Sequence, residues 1–180
     1  MTYQYVIVGA GSAGCVLADR LSENPDNRVL LLEAGNWDRN PLIHIPAALP
    51  AVAPAPKLNW GYHTEPEAQL GNRRLFWPRG KTVGGSSSIN GMVYTRGNRG
   101  DYDRWAALGA EGWSYDEVLP YFKRVEANER GANAYHGTNG RLNITRARRT
   151  SQLCNMFVEA GLQAGYKFCD DFNGEDQEGF

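Results

Sequence analysis

The sequence predicts an α/β fold on a parallel sheet, and three observations predict it. An apolar run from Tyr5 to Val8 ends at Gly9 and reads as a buried strand. Ser12 to Leu21 follows with helix-spaced apolar positions at Ala13, Val16, Leu17 and Leu21. A turn cluster at Asn24–Asn27 leads into a second buried strand, Arg28 to Glu33 (RVLLLE), closed by Gly35. Strand, helix and strand within about 30 residues make a β-α-β unit, the opening of a Rossmann-like doubly wound sheet.

Asn36 to Lys57 breaks the pattern. It carries five prolines between Pro41 and Pro56, and proline fixes φ and removes a donor. Regular structure is not expected there. The stretch reads as a surface connector, or as a loop covering a ligand or facing a membrane or partner. Leu75 to Pro78 reads as a short strand. Gly84 to Ser88 is a Gly/Ser turn, with a helix expected to start at Ser88. Tyr102 to Ala107 and Ser114 to Val125 read as helices, the second opened by a capping box, Ser114 with Glu117. Gly131 to Gly140 is loop, Arg141 to Thr145 a short strand, and Ser151 to Ala164 a helix.

Composition narrows the function classes. Nineteen Lys and Arg against 20 Asp and Glu leave a net charge of −1. That excludes a strongly basic nucleic-acid binder. No apolar run approaches the ~20 residues of a membrane span. No signal peptide is legible at MTYQYVIVGAG, and the three cysteines, Cys15, Cys154 and Cys169, form no CxxC pair. A reducing cytoplasm is expected, with Cys15 a small core residue of the first helix. His44, His63 and His136 lie far apart, and no metal site is expected. Arg146, Arg148 and Arg149 read as a solvated basic face.

Residues 9–14, GAGSAG, place Gly9, Gly11 and Gly14 as GxGxxG between the first strand and its helix. Gly9 allows the tight turn, Gly11 lets backbone approach a pyrophosphate, and Gly14 lets helix pack on strand. The helix N-terminus offers free amides to the phosphates. Glu33 stands 19 residues after Gly14, where a carboxylate accepts from ribose hydroxyls and repels a 2′-phosphate. The motif calls for an adenine dinucleotide. It does not separate a flavin from a nicotinamide. The stretch PRGKTVGGSSSINGMV, Pro78 to Val93, removes side chains at Gly84 and Gly85 where a planar group could approach. On the residues alone, that reading and a simple capped Gly/Ser loop stand level.

The sequence resembles the glucose–methanol–choline family of FAD-dependent oxidoreductases. The resemblance rests on GAGSAGCVLADRLS, LLEAG, and PRGKTVGGSSSINGMVYTRGN from Pro78 to Asn98. PLIHIP (Pro41–Pro46), KLNW (Lys57–Trp60) and DDFNG (Asp170–Gly174) point to its alcohol and choline dehydrogenase branch. The resemblance implies an α/β FAD-binding fold, oxidation of an alcohol to an aldehyde or ketone, and transfer of electrons to a quinone or another acceptor. It implies that Gly9, Gly11, Ser12, Ala13 and Gly14 hold the pyrophosphate, and Glu33 with Ala34 the adenine ribose. Val83, Gly85, Asn90, Gly91, Met92 and Val93 would lie along the flavin, with Trp60 packed nearby. Some family members bind FAD covalently through a histidine at the position of Ile89, so here FAD is expected to be non-covalent.

The family's catalytic histidine lies near the far C-terminal end, and none of the three histidines here matches it. The expectation is therefore an N-terminal portion, residues 1–180, of the FAD-binding domain. Residues 36–74 would be a loop or lid, and the catalytic and most of the substrate domain would lie elsewhere. Alone, such a chain is expected to be inactive. A nucleotide-binding fragment without catalysis and an NAD-dependent dehydrogenase are the competing readings. The resemblance suggests an aliphatic or choline-like alcohol as substrate, and a cytoplasmic protein with peripheral association at the inner membrane face left open.

Overall fold

The computed structural model describes residues 2–147 and 150–180, which form two compact units, one up to Val93 and one from Tyr94. The basic-face reading at Arg148 and Arg149 lies outside the described residues. Arg146 is described, and its guanidinium pairs with Asp170.

The first unit opens with β1 (Tyr5–Val8), α1 (Ser12–Ser22) and β2 (Val29–Leu32). β1 and β2 pair in parallel, Tyr5 with Val29 through Val8 with Leu32. Parallel strands need a crossover, and α1 supplies it. The strands expose much of their apolar surface, with Val8 83% accessible.

The proline-rich stretch is more ordered than expected. It forms short 3-10 turns at Pro41–His44 and Pro46–Ala48, then the single-turn α2 (Leu49–Val52). Each has proline in its first two positions, where the missing N–H would have no helical partner. Val52 and Leu58 bury against Ile89, with Ile43, Ala48 and Ala55 packed around them, so prolines punctuate a small core here. A hairpin follows: β3 (Tyr62–His63) pairs antiparallel with β4 (Phe76–Trp77).

The helix expected from Ser88 is absent. Gly85–Ser88 make one 3-10 turn, Ile89 leaves helical space at φ −133°, and Met92 takes φ +56°. Burial of Ile89 in the core fixes the chain direction against helix propagation.

The second unit contains α3 (Arg99–Ala107), α4 (Tyr115–Val125), β5 (Glu126–Asn128), β6 (Leu142–Ile144) and α5 (Gln152–Gln163). α3 starts three residues before its expected Tyr102, because the Asn98 side chain caps the amide of Gly100 at 2.9 Å. At α4 the capping box forms, with Glu117 accepting from the Ser114 N–H at 3.0 Å. β5 has no apolar alternation to announce it, yet pairs in parallel with β6.

Candidate functional site

Gly9 leaves β1 at φ +94°, a conformation that side chains with a Cβ disfavour. Its N–H donates to Leu32 O at 2.7 Å and adds a rung to the β1–β2 pair. Gly11 is the N-cap of α1, and a Cβ there would meet nothing within 4 Å. Ser12 and Ala13 follow as the exposed first residues of the helix. Their amides precede the first intrahelical bond, so they and the helix dipole are available to an anion. Gly14 is buried, and a Cβ would sit 1.9 Å from Gly9 O and 3.3 Å from the Ile7 side chain. The cradle is closed at Gly14 and open at Gly11.

Glu33 follows β2 and reaches across the cradle. One carboxylate oxygen accepts the Ala10 N–H and the other the Gly35 N–H, each at 2.7 Å. Each oxygen retains a second lone pair for a hydroxyl donor. Ala34, beside it, is exposed.

The second glycine motif locks onto the first. Gly84, at φ +90°, donates its N–H to Ala10 O at 2.7 Å. Gly85, at φ +56°, comes so close that a Cβ would lie 2.9 Å from Gly11 Cα. Thr82 is fully buried and donates its hydroxyl to Asn36 O at 2.8 Å, while Val83 N–H reaches the same carbonyl at 3.0 Å. Half-buried Cys15 points its thiol at Ala10 O, 3.2 Å away. Thr82 and Asn36 are the site residues the sequence hid: no spacing rule flags a lone threonine bonded to a carbonyl 46 residues away.

The contacts of the remaining expected residues are with other parts of the first unit. Asn90 accepts the Met92 N–H at 2.9 Å, and Asn90, Gly91, Met92 and Val93 are all exposed. Asn90 and Met92 line an apolar cleft with Leu42, Ile45 and Leu49. Trp60 stands at the root of the β3–β4 hairpin, with the Lys81 ammonium 4.6 Å from its ring centroid.

The second unit holds a buried ion cluster. Arg96 donates to Glu126 at 2.8 Å and to Tyr135 O at 2.8 Å. The same Glu126 oxygen lies 3.0 Å from His136 Nδ1 and accepts the Gly137 N–H at 2.9 Å. His136 Nε2 donates to Asp171 at 2.7 Å, since an ionised carboxylate only accepts. Asn173 joins in, accepting the Arg96 N–H at 2.7 Å and donating to Tyr94 O at 3.1 Å. Burial opposes the Arg96 charge, but bonding to Tyr94 and Glu126 raises its pKa above the ordinary guanidinium value. Burial also opposes ionised Asp171. The Asn173 N–H, the bond and charge of His136, and the Arg130 charge together outweigh it and lower the carboxyl pKa. His44 and His63 make local bonds, to Asp38 O at 2.7 Å and Gly61 O at 3.2 Å.

The chain is 53% identical over 180 residues to an oxygen-dependent choline dehydrogenase of Sinorhizobium fredii, covering 100% of this chain and 33% of that protein. It is 51% identical to the mitochondrial choline dehydrogenase of Mus musculus, covering 99% and 31%. It is also 51% identical to an alcohol dehydrogenase [acceptor] of Pseudomonas putida, covering 98% and 32%. The chain thus spans about a third of the length of these relatives. Among solved structures, pyridoxine 4-oxidase from Mesorbium loti superposes with a TM-score of 0.93 at 40% identity, over 99% of this chain and 35% of that one. A formate oxidase superposes at 0.84 with 28% identity, over 96% and 32%. The family profile for GMC oxidoreductase matches residues 3–180, and the chain belongs to the GMC oxidoreductase family.

Proposed function

We propose that this chain is the FAD-binding portion of an oxidoreductase that oxidises an alcohol CH–OH group to an aldehyde or ketone. FAD, when bound, accepts the hydride and passes the electrons to a quinone or another acceptor. The observation that carries the reading is the junction of the two glycine motifs, Gly84 N–H on Ala10 O at 2.7 Å. It joins the GxGxxG turn to the Pro78–Val93 stretch that carries the family resemblance. The names of the choline and alcohol dehydrogenase relatives support the reaction class.

In this reading the Gly9–Gly14 turn and the Ser12 and Ala13 amides hold the pyrophosphate. Glu33, with Ala34, receives the adenine ribose. Val83, Gly85 and Asn90–Val93 lie along the flavin, and Trp60 packs at its margin. Ile89 is buried with Val52 and Leu58 and has no nucleophilic atom, which supports non-covalent FAD. The base that takes the alcohol proton lies outside these residues in this reading: His136 is held between Glu126 and Asp171, and neither His44 nor His63 matches the family's catalytic position. Residues 1–180 are then the N-terminal part of the FAD-binding domain, with 36–74 as its lid, and this portion alone has no turnover. We place the protein in the cytoplasm, peripheral to the inner membrane face. No helix among the described residues is long and apolar enough to cross a membrane.

The test is a visible spectrum of the full natural chain before and after acid precipitation, then alcohol-dependent reduction of a quinone analogue. A flavin band that moves to the acid supernatant, with alcohol-dependent bleaching, is the expected result. Flavin left on the pellet overturns non-covalent binding. Absence of any retained flavin overturns the reading.

A further inference from the structure

Thr82 is a fully buried polar residue between the two glycine motifs. Gly35 sets its surroundings. A Cβ on Gly35 would lie 2.2 Å from the Lys81 carbonyl and 2.3 Å from the Thr82 nitrogen, so the chain after β2 meets the second motif backbone to backbone. That approach brings Asn36 O to two donors, the Thr82 hydroxyl at 2.8 Å and the Val83 N–H at 3.0 Å. A carbonyl oxygen has two lone pairs, so both are used. Thr82 O in turn accepts the Gly85 N–H at 2.8 Å.

These bonds close a circuit. Ala10 donates to Glu33, and Glu33 also accepts from Gly35. Asn36 follows Gly35 and accepts from Thr82 and Val83. Gly84 returns the circuit to Ala10 O at 2.7 Å. Two side chains serve as links. The Glu33 carboxylate fastens the GxGxxG turn, on the adenine side. The Thr82 hydroxyl fastens the Val83–Gly85 loop, on the flavin side. Held by two donors, Asn36 O fixes the direction of the Val83 amide. Held by one, it leaves that amide free to swing about a single bond. Being buried, Thr82 acts through Val83 and not by touching a ligand.

We infer that Thr82 is a positioning residue for the flavin half of the cofactor: its hydroxyl, through Asn36 O, holds Val83–Gly85 at a set distance from the GxGxxG turn. The inference rests on the FAD-binding reading given above.

The test is titration of the full natural chain, stripped of flavin, with FAD and separately with ADP, which carries the adenine half alone. T82V exchanges the hydroxyl for a methyl group of nearly the same size. It should weaken FAD binding about tenfold, the worth of one hydrogen bond, and ADP binding by less than about twofold. T82S keeps the hydroxyl and should bind FAD as the wild type does. Equal weakening of FAD and ADP in T82V would make Thr82 a fold residue only and overturn the inference. So would wild-type FAD affinity in T82V, or a T82S protein as weak as T82V. A second measurement needs no variant: ADP should slow amide exchange of the wild-type chain over residues 81–85 as well as 9–14, because the circuit joins them. Slowing confined to 9–14 would overturn the inference. A wild-type chain that binds FAD no more tightly than ADP would overturn the flavin reading, and this inference with it.

Discussion

Ala10 donates its amide to the Glu33 carboxylate at 2.7 Å, so the acid after β2 is fastened to the glycine turn after β1. Glu33 therefore organises the turn, in addition to the ribose contact proposed for it. The other carboxylate oxygen holds Gly35 in the same way. Replacing Glu33 by Ala leaves two part-buried amides unpartnered, at about 1–3 kcal/mol each. E33A should lower the urea midpoint and weaken FAD binding about tenfold or more. E33Q, which keeps one acceptor oxygen, should fall between E33A and wild type. Flavin fluorescence titration and urea melts read both effects, and an E33A protein unchanged in both would refute the double role.

The glycines of the turn should separate stability from binding. Ala at Gly14 would drive a methyl against Gly9 O, so G14A should cost about 3 kcal/mol and lose cofactor with it. A Cβ at Gly11 meets nothing within 4 Å among the described residues. G11A should therefore change apo stability by no more than about 1 kcal/mol, the difference between N-cap residues, yet lose FAD affinity. Paired apo melts and FAD titrations check this, and equal loss of stability in both variants would contradict it.

The buried ion cluster should make the second unit sensitive to single substitutions. Removing one partner strands a buried charge at a cost of about 3–5 kcal/mol. E126Q, which removes the charge that Arg96 and His136 share, should be as damaging as R96M. Urea unfolding followed by circular dichroism measures the loss. An E126Q protein within about 1 kcal/mol of wild type would show the cluster contributes little.

Asp171 supplies a pH dependence with a definite sign. Its carboxyl pKa is lowered in the folded protein. A lowered carboxyl pKa stabilises fully above the unfolded value, about 3.9, and the contribution fades as pH falls through the lower folded value. Wild type should lose stability against D171N on acidification from about pH 5, and the difference should vanish below the folded value. Urea midpoints measured across that range for both proteins test it. A constant difference would exclude Asp171 as the titrating group.

Cys154 and Cys169 should react differently. Cys154 is exposed, and the Ser151 hydroxyl and amide contacts lower its thiol pKa. Cys169 is buried with its thiol on Asp176 O. Alkylation of the native protein by iodoacetamide, mapped by peptide mass, should label Cys154 first, and S151A should slow that labelling. Prior labelling of Cys169 would contradict the placement.

What the sequence made legible was local. The β1–α1–β2 unit and its GxGxxG turn are contiguous, so spacing alone places Gly9, Gly11, Gly14 and Glu33. Long-range pairings stayed hidden. Nothing in Thr82 foretells its bond to Asn36 O, and nothing in Glu126 marks it as buried, since an acid after an amphipathic helix ordinarily faces solvent. The missing helix after Ser88 is the reverse case: local propensity favoured it, and burial of Ile89 overrode it.

The junction of Ala10 with Gly84 also sets a clock. Seventy-four residues separate the two partners of that hydrogen bond. Closing such a loop costs about 4 kcal/mol of chain entropy, so the junction forms only with contacts that offset it. At about 5–20 residues per second, a ribosome finishes Ala10 roughly 4–15 s before it reaches Gly84. Through that interval the nascent turn lacks the contact that Gly84 supplies, and the first glycine motif must persist in the emerging chain without the second.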